Sequence, residues 1–283
     1  MRSLRSLLIV ALVALIGAPA VIAQETEQDI VNRYLQKSEK EKVTKLGWAS
    51  LHFNGNRINR NNDYNSFATN ISADIQGGEV AWLDQAFSVG ADFGVVFNDR
   101  FTWLLGGEYW LKQGTNLSGE FTYNPSGGVP TTITDPKSEV KVYGAYTGFQ
   151  YYFVNPPTRQ DLLTNLAVRV NGTVGYYAVN WDLFPEYQNL NLTTANPVAQ
   201  NETYTGAAPG FSFGVGADYP INLWNMALGV DLSYLYLNFN NVSWYNAQDE
   251  EIVATYNDTE DGRVDLALSG VRGKIEVKRF FNW

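Results

Sequence analysis

The chain has 283 residues, a formal net charge of −9, no cysteine and a single histidine. Without cysteine there is no disulfide scaffold, no thiolate metal site and no lipid-modified N-terminal cysteine, and one histidine excludes a multi-histidine metal centre. The acidic balance leaves no basic stripe along which a phosphate backbone could lie, so nucleic acid is excluded as an expected partner.

Arg2 and Arg5 precede an apolar run from Leu7 to Ile16, followed by Gly17, Pro19 and a small-residue site ending at Ala23. Residues 1–23 therefore read as a secretory signal peptide; the run is too short for a membrane anchor, which needs roughly 20 residues. Cleavage after Ala23 removes both arginines and takes the net charge to −11. Residues 24–43 are polar and charged, with Ile30, Val31, Tyr34 and Leu35 forming one short apolar stripe at helical spacing. They are expected to form a solvated periplasmic helix, with a plug or partner-binding segment as the alternative.

From residue 44 to 283 the pattern switches to period two, and no further helix is expected. In "SVGADFGVVF", Val89, Ala91, Phe93, Val95 and Phe97 oppose Gly90, Asp92 and Gly94. In "FTWLLGGEYWLK", Phe101, Trp103, Leu105, Tyr109 and Leu111 oppose Thr102, Gly106, Glu108 and Lys112. Further on, Val168, Val170, Val174 and Tyr176 oppose Arg169, Asn171, Thr173 and Tyr177; Phe211, Phe213 and Val215 oppose Ser212, Gly214, Gly216 and Asp218; Leu228, Val230 and Leu232 oppose Gly229, Asp231 and Ser233. One face suits lipid and the other water. The segment from Ser138 to Phe153 has a mixed phase, for which a bulge near Gly144 is the expected reason.

Connections alternate in length. "FNDR" and "YPINLW" are tight, whereas Gly114 to Lys137, Leu183 to Ala208 and Asn240 to Gly262 are long and rich in Asn, Thr, Pro and Gly. With 14% aromatic residues, 25 Gly, 17 Tyr and 8 Trp, the pattern predicts an all-β, antiparallel up-and-down transmembrane β-barrel. A soluble β-sandwich is the competing fold. Nine candidate strands can be marked, one of them Phe67 to Gln76; because bacterial single-chain barrels have even strand numbers, eight strands are favoured, with Phe67 to Gln76 in an outer connection, and ten are possible.

The sequence ends on "GKIEVKRFFNW". Gly273, Ile275, Val277, Phe281 and Trp283 resemble the C-terminal recognition strand of bacterial outer-membrane barrels, where a glycine precedes alternating apolar residues and a terminal aromatic. Size and layout are similar to the outer-membrane protein A barrel and the outer-membrane protein W group, without the C-terminal periplasmic domain of the former. The resemblance implies a Gram-negative cell envelope, residence in the outer membrane after signal cleavage, and the barrel-assembly machinery and outer-membrane lipids as partners of a monomer. Arg279 interrupts the apolar alternation, as is tolerable at the periplasmic interface. Leu266 and Leu268 stand on the opposite parity from Ile275 and Val277, so a bulge or bend is expected between Gly270 and Gly273.

Asp92, Glu108, Lys112, Arg169, Asp218 and Asp231 occupy polar phases of different strands, and a narrow barrel would force them to pair. They are expected to form a lumenal charge network, or, on the rival reading, a gated pathway for small cations. His52, with Ser50 on the same phase, is a conceivable start of a lipid-modifying site, and the bland alternative is a polar lumenal histidine. No G-x-S-x-G, H-E-x-x-H or phosphate loop occurs, so no catalytic residue, cofactor or metal ligand is assigned. The acidic stretch from Asp249 to Asp261 reads as a solvated loop. Trp48, Trp103, Trp181, Trp224 and Trp283 read as interfacial girdle residues. The expectation is thus a non-enzymatic barrel with a structural or surface-interaction role through its long outer loops. The alternatives are a narrow, porin-like channel for small or hydrophobic molecules and a lipid-modifying enzyme using His52.

Overall fold

A computed structural model describes residues 46–60, 62–98, 100–116, 118–123, 130–135, 137–157, 165–183, 202–221, 224–240, 242–245, 251–253 and 265–282. The expected signal peptide, the segment 24–43, most of the acidic loop and Trp283 lie outside the described residues.

Eight strands form the wall: β1 (Leu46–Ile58), β3 (Gln85–Val96), β4 (Phe101–Asn116), β7 (Lys137–Val154), β8 (Ala167–Leu183), β9 (Glu202–Ile221), β10 (Met226–Phe239) and β14 (Gly270–Asn282). Each pairs antiparallel with its successor, and β1 pairs with β14 without a break from Leu46↔Asn282 to Ile58↔Gly270. The sheet is therefore a closed eight-stranded barrel with no free edge. Short elements decorate the end with the long connections: α1 (Asp63–Asp74), β2 (Ile75–Gln76), β5 (Glu120–Tyr123), β6 (Thr131–Thr134), β11 (Ser243–Tyr245), β12 (Glu251–Val253) and β13 (Leu266–Ala267).

Three expectations need correction. The first concerns Phe67 to Gln76, which is not a strand: residues 63–74 form helix α1, so a helix does follow residue 44. Asn62 caps it, its Oδ1 accepting the Asn65 amide at 2.8 Å. Tyr64 and Ala68, one turn apart, are completely buried, and the helix sits in the outer connection between β1 and β3, which leaves eight strands.

The expected bulge near Gly144 is absent. Register runs unbroken from Phe101↔Tyr151 to Trp110↔Val142, and the irregularities fall instead between Trp110 and Gln113 and between Tyr152 and Val154. Val140, Val142, Tyr146, Gln150 and Tyr152 all point inward, while Tyr143, Phe149 and Tyr151 are exposed outside. The phase looked mixed because Val140 and Val142 are apolar residues facing the bore.

The same cause removes the bulge expected between Gly270 and Gly273. Leu266, Leu268, Arg272, Glu276 and Lys278 share one buried parity, and β14 pairs continuously with β1. The strand is interrupted earlier, at Leu268 and Ser269, where the Ser269 hydroxyl donates to the Leu237 carbonyl at 3.1 Å.

The bore is layered as a result. Towards the long connections it is apolar, filled by Tyr64, Val140, Val142, Val179, Trp181, Leu235, Leu237, Leu266 and Leu268. Tyr64 and Trp181 meet edge to face at 5.6 Å, and both bond to Ser138, Tyr64 through its hydroxyl at 2.9 Å and Trp181 through Nε1 at 3.0 Å. Below this layer the bore is charged.

Candidate functional site

Alternation on β14 is the structural origin of the charged layer. With Ile275 and Val277 outside, the intervening Arg272, Lys274, Glu276 and Lys278 must turn into the bore. Facing them across it are Asp92 on β3, Glu108 on β4, Arg169 on β8, Asp218 on β9 and Asp231 on β10. Small residues make room: a Cβ on Gly216 would stand 2.2 Å from Asp231 Oδ1 and 2.9 Å from Arg169 Nη1.

Arg169 is the hub and is fully buried. Its Nε and Nη2 donate to Asp218 Oδ2 and Oδ1 at 3.0 and 3.1 Å, its Nη1 to Asp231 Oδ1 at 2.7 Å and its Nη2 to Asp231 Oδ2 at 2.9 Å. Nη2 also donates to Glu276 Oε1. The planar guanidinium thereby clamps three carboxylates from three strands. Lys278 adds bonds to Asp218 at 2.9 and 3.1 Å, lies 3.2 Å from Glu276 and stacks 4.7 Å above the Trp48 ring. Tyr152 donates to Asp218 at 2.6 Å.

Lys274 extends the network to Asp92 at 3.3 Å and Glu276 at 3.2 Å. Asp92 also accepts from the Tyr146 hydroxyl at 2.6 Å, and His52 Nδ1 stands 3.3 Å from its second oxygen without hydrogen-bond alignment. A second group lies beside it. Arg272 donates to Glu108 at 2.9 Å and to Asn56 at 2.7 Å, and Glu108 accepts further from Asn54 at 3.0 Å and Ser88 at 3.1 Å.

Among the described residues, five carboxylates and four permanent cations face one another in this layer, so the charges nearly balance before His52 is counted. A polar cavity of about 30 Å³ remains, lined by Asn54, Asp92, Tyr146, Asp231, Arg272 and Lys274 among others; that is room for about two waters. No cluster of three His, Asp or Glu able to hold a metal ion occurs among the described residues.

Of the residues singled out from sequence, Asp92, Arg169, Asp218 and Asp231 meet in one network and Glu108 stands in the adjoining one. The Lys112 side chain lies outside what is described. Arg272, Lys274, Glu276 and Lys278 join them without having been singled out by the strand pattern, although their parity opposite Ile275 and Val277 marks them as inward. Trp48 and Trp181 are not girdle residues: both are buried in the bore, on the inward phase of β1 and β8. Ser50 and His52 also face the bore, but the Ser50 hydroxyl donates to Glu276 at 3.3 Å.

The outer surface of the wall is the reverse of the bore. Leu51, Val89, Leu105, Val174, Phe213, Leu232 and Ile275 are all exposed, flanked by aromatic residues that include Phe53, Trp103, Tyr151, Tyr219 and Trp224. A closed sheet that buries its charges and exposes a continuous apolar band is built for lipid. The chain is a closed eight-stranded β-barrel of the transmembrane kind.

No protein-family model matches the chain, and no curated protein sequence matches it. Among solved structures it is similar to the outer membrane protein OprG from Pseudomonas aeruginosa, at 12% identity over 84% of this chain and 96% of that one, with a TM-score of 0.45. It is also similar to a major outer membrane protein from Thermus thermophilus, at 12% identity over 83% and 99%, TM-score 0.42. A third similar structure is Ail, the attachment invasion locus protein of Yersinia pestis, at 9% identity over 84% and 99%, TM-score 0.39.

Proposed function

We propose that this barrel is a non-enzymatic component of the outer membrane, with a structural or surface-interaction role exercised through its long outer connections. The observation that carries the reading is the filled bore: the Arg169-centred layer crosses it from wall to wall, and the apolar layer around Tyr64 and Trp181 lies above. A bore filled in this way is a rigid support rather than a passage.

The absence of catalysis is part of the proposal. His52 and Ser50 are each only 5% exposed, and the Ser50 hydroxyl is committed to a carboxylate rather than to His52, so a nucleophile activated by this histidine lacks its first requirement. Export with the signal peptide removed after Ala23, assembly through the terminal strand that ends at Phe281 and Trp283, and a monomeric state complete the proposal.

A second reading, a narrow channel, has the polar cavity beside Asp92 and Lys274 in its favour. Liposome swelling separates the two. Vesicles carrying the refolded protein are expected to swell in small sugars no faster than empty vesicles, and size-dependent swelling would favour the channel.

A further inference from the structure

The outward face of the wall carries very few charges. Among the described residues, those toward the long connections are Arg57, Glu139, Lys141 and Asp182, the last two joined by a 2.7 Å ion pair. At the opposite end, which faces the periplasm in barrels of this kind, the outward strand positions carry one charge among the described residues, Arg279. It is exposed and has no acidic partner among them.

Its surroundings form a groove. Arg279 sits in register with Ala49 on β1 and Met226 on β10. The small Ala49 leaves a depression walled by Phe281 on one side and by Trp224, from the tight β9–β10 turn, on the other. Trp224 is 74% exposed and adopts a left-handed backbone conformation with φ of 52°, uncommon for so bulky a residue. The turn thus presents an indole at the membrane boundary next to the Arg279 guanidinium.

We propose that this groove binds the phosphate of an anionic glycerophospholipid in the periplasmic leaflet. Arg279 engages the phosphate oxygens through its planar fork, Trp224 packs against the glycerol and upper chain region as interfacial indoles do, and Phe281 and Ala49 seat an acyl chain. Charge complementarity selects the occupant. An arginine with no acidic partner among the described residues, on an apolar wall at headgroup depth, matches an anionic headgroup better than a zwitterionic one, whose own cation competes for the phosphate. The proposal requires the barrel to lie in a membrane but not any particular role for the outer connections.

Native mass spectrometry of the refolded full chain in detergent, titrated with phosphatidylglycerol or phosphatidylcholine, tests it. Folding of each variant is checked separately by the migration of unheated samples in gels. Wild type is expected to retain phosphatidylglycerol in preference to phosphatidylcholine. Arg279→Gln should weaken phosphatidylglycerol binding about tenfold, as loss of a charge-assisted bond implies, Trp224→Ala should weaken it as well, and Arg57→Gln at the other end should leave it unchanged. Equal retention of the two lipids by wild type, or undiminished phosphatidylglycerol binding by folded Arg279→Gln, would overturn the assignment. Should Arg279→Gln not fold, Trp224→Ala decides: undiminished binding by that variant overturns it.

Discussion

Arg169 Nη1 reaches Asp231 Oδ1 over 2.7 Å, although β8 and β10 are not neighbours in the wall. The bond passes over Gly216 of the intervening β9, so side chains rather than backbone tie non-adjacent strands together. Arg169→Met is expected to leave Asp218, Asp231 and Glu276 short of positive charge in a buried layer, and to destabilise the barrel by about 3–5 kcal/mol. Urea unfolding in lipid vesicles, followed by tryptophan fluorescence, measures it; a loss below about 1 kcal/mol would remove Arg169 from its place as hub.

Gly216 owes its identity to the same crossing. Gly216→Ala should cost about 1–3 kcal/mol because the added methyl must displace both Asp231 and Arg169. Gly273→Ala is the contrast, since a Cβ there meets nothing within 4 Å, and it should change stability by no more than about 0.5 kcal/mol. Equal effects in the same unfolding assay would contradict the crowding argument.

Much of this architecture is legible in the sequence, and the illegible parts share a physical cause. Period-two alternation is clear wherever the inward residues are polar, as with Asp92, Asp218 and Asp231, because polarity then labels the face. It misleads where the bore itself is apolar. Val140, Val142, Leu266 and Leu268 look lipid-facing by composition, so each seems to demand a bulge that the register does not contain. Trp48 and Trp181 mislead in the same way, since a tryptophan in a membrane protein suggests an interface until its parity is followed into the bore. Helix α1 escapes the alternation reading because its burial is tertiary: Tyr64 finds its partners, Ser138 and Trp181, on strands far along the chain, and the local cue, Asn62 as cap, is weak beside the alternation that follows.

The packing of Tyr64 in the bore has a signed pH dependence. Burial outweighs its bond to Ser138 and pushes the phenol up to about 12 from an ordinary 10.0. Below pH 10 the proton is held whether helix α1 is packed or unfolded, and the Tyr64 contacts contribute fully. Between pH 10 and 12 Tyr64 of the unfolded segment loses its proton while the packed phenol keeps it, so the stability of helix α1 against the bore falls as pH rises. Tyr64→Phe should remove this dependence and cost about 1 kcal/mol at neutral pH. Hydrogen exchange of residues 63–74 as a function of pH is the measurement, and an unchanged profile in Tyr64→Phe would refute it.

For His52 the expectation is structural. Neither the wild-type protein nor His52→Ala should release label from lipid A or phospholipid vesicles, and the substitution should lower stability by about 1–3 kcal/mol through the cavity and the lost contact with Asp92. Turnover that depends on His52 would replace the non-enzymatic reading.

The filled bore is the central claim, and single-channel recording in planar bilayers tests it most directly. The purified wild-type barrel is predicted to give no stable openings across a wide range of voltage and salt. Discrete, reproducible openings that persist through stringent purification and shift in amplitude in Asp92→Asn or Lys274→Met would contradict it.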